Sequence, residues 1–324
     1  MRTLLLVLSF MALYVCAAET SRIGRVTEYS GMSDASAGVA LSSNVFVVAN
    51  DEDNILRYYS ADRGGPPLKQ YDLARFLAQA DEADLEGAAR IGTRIFWIGS
   101  HGENRRGKDR PGRRCFFATD IDVSDAIPNL IPVGRPCRTL LDDMLRDPRF
   151  SRFHLAEAAS QAPKESEALN IEGLAATPEG HLLVGFRNPV PGGKALLIPL
   201  FNPNEITTGA HARFGEPILL DLGGQGIRDI ALCGTNYIVV GGPYNSRDKF
   251  HIYRWSGPGS DLLRFKVKGL SSFHPEGIVI YPDKGLAGIQ ILSDDGQHLE
   301  DRLVDPAGRQ RQKFRSFWLL PEKS

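Results

Sequence analysis

The chain has 324 residues, and its 38 Lys and Arg against 39 Asp and Glu leave a net charge of −1. Nothing in that balance suggests general nucleic-acid or membrane-surface binding. Its 33 glycines, roughly one residue in ten against a usual ~7%, predict many tight turns and therefore many short strands.

The first element is Met1-Arg2-Thr3, an apolar run from Leu4 to Val15, and Cys16-Ala17-Ala18. One positive charge, a short apolar core and small residues at its end describe a secretory signal peptide. The run falls short of the roughly 20 apolar residues of a membrane span. A lipoprotein cleaved before Cys16 is the alternative, and Tyr14 and Val15 are poor neighbours for it. The expectation is a signal peptide at 1–18, one domain over 19–324, and a periplasmic or secreted protein with no membrane insertion after signal removal. Cys115, Cys137 and Cys233 then remain. Cys115 and Cys137 can sit on adjacent strands and pair in an oxidising compartment, while Cys233 reads as a small buried hydrophobe. No close Cys/His spacing suggests zinc.

One pattern recurs down the rest of the chain: a polar opening, an apolar strand, a turn, and a second apolar strand. It starts at Asp34-Ala-Ser-Ala-Gly, Asp84-Leu-Glu-Gly, Asn170-Ile-Glu-Gly, Ile227-Arg-Asp-Ile and His274-Pro-Glu-Gly. Further strand-like runs follow each copy, among them Ile55–Tyr59, Cys115–Ala118, Ala195–Ile198, Phe250–Trp255 and Phe314–Leu319. A copy about every 50 residues with about four strands each predicts an all-β propeller. Five blades are expected, with six as the alternative. The long gap before Asn170 reads as a small helical insert, Leu140 to Ala168, between blades two and three. Blade five is a strand short, and Arg22–Glu28 is the candidate to close the ring and cover its edges.

Inner strands of a propeller line its channel, so the openings meet at one mouth. The loops after each second strand, such as Asn50-Asp-Glu-Asp-Asn54 and Ser100-His-Gly102, return there. The mouth gathers Asp34, Asp51, Asp53, Asp84, Glu86, Glu172, Asp229, Glu276, Asp294 and Asp295. Crowded carboxylates repel, and a hard divalent cation held by oxygen ligands relieves this, which points to calcium. The competing account has the acids capping strand ends and turn amides. Arg228 stands where other copies carry glutamate, which suits it and Arg187 to an anionic substrate group or to neutralising neighbours. His101 is the first acid–base candidate and His274 the second. The basic stretch Arg105 to Arg114 reads as a solvated hairpin loop, or as a phosphate-attracting flap if it folds over the mouth. No Gly-x-Ser-x-Gly, P-loop or dinucleotide fingerprint is present.

The runs Asn50–Arg57, Glu82–Ile91, Trp97–Gly102, Leu169–Ala175, Gly185–Pro189 and Asp221–Ile230 together resemble the bacterial family catalogued as domain of unknown function 3616. The likeness spans nearly the whole mature chain and implies a propeller-like fold, with no established activity. Ser33 and Asn50 depart from the Cys and Asp the family carries there. The Glu-Gly openings are also locally similar to calcium-dependent propeller esterases, lactonases and phytases, and fold alone does not give function. The resulting expectation is a calcium-dependent hydrolase of phosphate esters or lactones. Its metal ligands are Asp34, Glu86, Glu172, Asp229 and Glu276, with His101 carrying protons and Arg187 and Arg228 clamping substrate. The alternative is a non-enzymatic propeller that binds a small anionic ligand or a protein partner, and not nucleic acid, at the same mouth.

Overall fold

The computed structural model describes residues 20–79, 81–244, 249–295 and 312–322. The expected signal segment, Asn245 of one mouth loop and Gly296 of another lie outside them. The described residues form twenty-one strands, beginning with β1 (Thr20–Ser30). Blade one is β2 (Ala37–Ala40), β3 (Val45–Ala49), β4 (Ile55–Ser60) and β5 (Lys69–Asp72). Blade two is β6 (Leu85–Ile91), β7 (Arg94–Gly99), β8 (Phe116–Asp122) and β9 (Asn129–Cys137). Blade three is β10 (Asn170–Ala176), β11 (Leu182–Asn188), β12 (Ala195–Leu200) and β13 (Ile218–Leu220). Blade four is β14 (Gly226–Cys233), β15 (Asn236–Gly242), β16 (His251–Trp255) and β17 (Leu262–Arg264).

The fifth sheet is built from both ends of the chain. It runs β18 (Lys266–Lys268), β1, β21 (Lys313–Pro321), β20 (Ile289–Ser293) and β19 (Pro275–Ile280). β1 pairs antiparallel with β21, and β18 adds a short parallel edge to β1. The innermost strands β2, β6, β10, β14 and β19 touch in that cyclic order and back to β2. The fold is thus a five-bladed propeller closed by the N-terminal strand, and no sixth sheet forms among the described residues. The long gap before blade three holds helices Leu140–Arg146 and Leu155–Ala158 around a 3-10 turn, Pro148–Phe153. β9, within that gap, gave no strand signal in the sequence because Pro132, Gly134 and Pro136 interrupt it.

The core lies between blades. β3 shows why these strands read as continuous apolar runs: Val45, Val47 and Ala49 pack toward blade two, while Phe46 and Val48 pack toward blade five. β7 repeats this, with Ile95 and Trp97 facing blade one and Phe96 and Ile98 facing blade three. Side chains alternate along a strand, and both faces of each blade are covered, so both sets must be apolar. Cys137 pairs in register with Phe116, next to Cys115, so the expected adjacency is realised; both thiols are free and buried.

Candidate functional site

Four inner strands carry the same irregularity near their start. In blade two, Leu85 pairs with Gly99 and Gly87 with Ile98, which leaves Glu86 outside the ladder. Glu172, Arg228 and Glu276 are skipped in the same way in blades three, four and five. Arg187 is skipped on β11, between the pairs Asn170–Asn188 and Ile171–Phe186. Each is the extra residue of a β-bulge, a device that re-aims a side chain. All five line one cavity of about 830 Å³ at the channel mouth. Blade one has an unbroken ladder and Ala37 at its start, so it contributes through the β3–β4 loop instead.

That loop divides its acids between scaffold and site. Asn50 Oδ1 accepts from Glu52 N at 2.6 Å, and Asp53 accepts from Ile55 N and both Arg57 Nη atoms. Asn54 ties blade one to blade two, accepting from Ala83 N at 2.9 Å and donating to Asp81 O at 2.9 Å. These residues cap turns, as the competing account expects. Asp51 does not: its Oδ1 is buried without a hydrogen-bond partner among the described residues. Ligand oxygens of Asp51, Asp84 and Glu86 lie within 4.8 Å of one another.

Asp84 reaches this cluster from a left-handed backbone, φ +52°, a conformation that costs a non-glycine residue about 1–2 kcal/mol. Its carboxylate pairs with Arg113 Nη1 at 2.9 Å. Burial pushes the Asp84 carboxyl up to about 6, against the opposing pull of Arg113 and Ser100. Burial, then Asp34, Asp84, Asp294 and Glu52, hold Asp51 well above the usual carboxylate range. Burial and then Glu172, Asp84 and Asp51 do the same to Glu86. Three carboxyls disfavoured as anions around an unpartnered oxygen describe a place where a cation would relieve the repulsion. A hard, all-oxygen donor set fits calcium or magnesium better than a soft metal.

The rest of the expected ligand set is engaged elsewhere. Glu172 accepts from Asn170 Nδ2 at 2.9 Å and Arg187 Nη1 at 2.7 Å, and pairs with Arg228 Nε at 2.9 Å. Arg228 also pairs with Glu276. Glu172 and Glu276 therefore hold arginines, and Arg187 and Arg228 are neutralised within the wall. Asp229 lies outside the cavity lining, where its two oxygens accept Ile230 N at 2.7 Å and Ile278 N at 2.6 Å, joining blades four and five. Asp34 stands behind Asp51 and accepts from Ser33 Oγ at 2.5 Å.

His101 is also off the lining. It is 1% exposed, and burial first, then Arg114, brings it down to about 3. So buried and off the lining, it does not face a ligand in the cavity. The histidine on the cavity is His274, whose ring packs edge-on to Phe250 at 5.8 Å. Arg105, Arg106, Lys108 and Arg110 line the mouth as well, so the basic loop is both solvated and over the opening. Three of the four inner-strand bulges fall on the Glu-Gly pairs visible in the sequence, but the split of the acids between ladders and site rests on pairings between distant segments.

A search of curated proteins by sequence gives no match. Among solved structures, the glutaminyl cyclase of Myxococcus xanthus is similar, with TM-score 0.50 and 11% identity over 94% of this chain and 100% of that one. The PQQ-bound aldose sugar dehydrogenase of Streptomyces coelicolor has TM-score 0.44 and 10% identity, over 94% and 99% of the two chains. The likeness to the cyclase, at 11% identity, speaks for the fold alone. The sequence profile of a family described as "Protein of unknown function (DUF3616)" matches residues 34–115 and 133–264. With that match spanning both the mouth loops of blade one and the inner strands of blades two to four, the chain belongs to the DUF3616 family.

Proposed function

We propose that this protein is an exported propeller that holds a divalent cation, calcium in the first instance, at Asp51, Asp84 and Glu86 and hydrolyses a phosphate ester beside it. The observation that carries the reading is the unpartnered Asp51 oxygen within a three-carboxylate cluster on the floor of an open cavity. A cation there would polarise a phosphoryl oxygen and favour ionisation of water. The chain supplies the rest. Arg113 orients Asp84, and the bulges bring Glu86 to that cluster and Arg187 and Arg228 to the wall beside it. His274 is the cavity-facing group suited to deliver a proton to the leaving oxygen. Cationic residues along the wall and rim favour phosphate over lactone.

A binding-only propeller is the second reading, and the consumption of Glu172, Glu276, Arg187 and Arg228 in mutual ion pairs favours it. Metal analysis with a thermal-shift titration tests the site. Calcium at a hundredfold excess over its Kd should stabilise by about 2.7 kcal/mol, and Glu86→Gln should abolish the rise. A protein that retains no metal and melts alike with calcium and chelator overturns the proposal. Turnover of aryl phosphates, lost in Glu86→Gln, separates the enzyme from the binding module.

A further inference from the structure

The rim holds cations that no described residue neutralises. Arg105, Arg106, Lys108, Lys164 and Lys249 all line the mouth, all are exposed, and none has an ion-pair partner among the described residues. They come from three separate segments: the loop after β7, the insert before β10 and the loop after β15. The first loop is built rather than loose. Asn104 Oδ1 accepts from Arg106 N at 2.9 Å and from Lys108 N at 3.0 Å, and Asn104 N donates to Lys108 O at 3.0 Å. These bonds and Gly107 N donating to Asn104 O at 2.9 Å hold the turn, and none of them uses the three basic side chains.

Deeper in, Arg187 and Arg228 are already paired with glutamates. The uncompensated positive charge of the mouth is therefore at its edge, while its floor is acidic. Between the two, Asn170 is 4% exposed and lines the cavity. Its Nδ2 donates to Glu172, which fixes the amide, and its Oδ1 has no partner among the described residues. A buried acceptor left open calls for a donor from a ligand. The cavity, about 830 Å³, sits in the upper part of the range for sites that enclose a whole small molecule.

We infer that the ligand is a small polyhydroxylated molecule carrying at least two separated phosphate groups, one directed to the floor, another held by the rim cations, with a hydroxyl donated to Asn170. This rests on the cation site for the floor group only; the rim and Asn170 are independent of it. A single phosphate on the floor would leave the rim unused, and a phosphate at the rim alone would leave the cavity empty.

Isothermal titration with fructose 1,6-bisphosphate and fructose 6-phosphate as probes tests it, at low and at 0.5 M salt, with calcium and with chelator. The bisphosphate should bind about tenfold or more tightly than the monophosphate at low salt, and the margin should shrink at high salt as exposed charges are screened. Arg105→Ala/Arg106→Ala/Lys108→Ala should erase the margin while calcium still raises the melting temperature as in wild type. Asn170→Ala should weaken both sugar phosphates but not inorganic phosphate. Equal affinity for the two probes in wild type, or an unchanged margin in the triple variant, overturns the inference. A bisphosphate preference that persists in chelator, in a protein calcium does not stabilise, upholds the inference and removes the metal reading instead.

Discussion

Asp51 sits among Asp34, Glu52, Asp84 and Asp294, each of which disfavours its charge. A residue kept for structure would not be placed there, since its burial and its neighbours oppose folding of the metal-free chain. Asp51→Asn should therefore raise the metal-free melting temperature by about 2–4 °C and remove the response to calcium; a turn-capping role predicts a loss of stability instead. The same logic gives a pH dependence. Asp84 titrates at about 6 in the folded chain against an ordinary 3.8, so the folded state holds its proton more tightly. Stability then falls as pH rises from about 4 through about 6. Metal-free protein should melt higher at pH 5 than at pH 7, and saturating calcium should reverse that order by keeping the carboxylates ionised. Melting curves at the two pH values, with and without chelator, check both.

At the scale of elements, the Glu-Gly pairs do two jobs with adjacent residues. The glutamate bulges toward the mouth, and after Glu86 and Glu172 the glycine lets the next blade close in, whereas Gly277 makes room for Leu292 of its own blade. A Cβ on Gly173 would meet Ile227 Cγ2 at 2.8 Å and Ile230 Cγ2 at 3.0 Å, both on blade four. These are branched side chains in a packed core, so they have little room to yield. Gly173→Ala should destabilise by about 1–3 kcal/mol, read as a lower urea midpoint. Gly180→Ala, in open space at a turn with φ +82°, separates backbone strain from blade packing. If the two variants lose the same amount, close approach of the blades is not what Gly173 provides.

The whole molecule depends on one closure. Among the described residues β1 alone brings the N-terminal end into blade five, and without it β21 would present an open edge. Tyr29 seals the join: its hydroxyl receives Gln290 Nε2 at 3.2 Å and donates to Ser60 O at 3.3 Å. Gln290 also donates to Ser316 Oγ at 2.7 Å and accepts from Tyr281, so this buried amide is satisfied on every side. Deleting residues through Ser30 should yield aggregated protein by size-exclusion chromatography. A soluble monomer with the wild-type melting temperature would show that the ring closes by other means.

Periodicity alone determined much of this protein. Apolar runs at a fixed spacing require sheets buried on both faces, and a ring of five was legible from Asp34, Asp84, Asn170, Ile227 and His274. The edge deficit in blade five even pointed to the strand around Arg22–Glu28, now within β1. Only the tertiary structure decided the site. Glu86, Glu172 and Glu276 are equivalent in sequence, yet Glu86 faces other acids while Glu172 and Glu276 face Arg228. His101 and His274 both flank the mouth in sequence, yet one is sealed behind it and the other lines it. The physical reason is that a carboxylate's role is set by the charge beside it. In a closed ring that charge comes from a neighbouring blade, some fifty residues away along the chain.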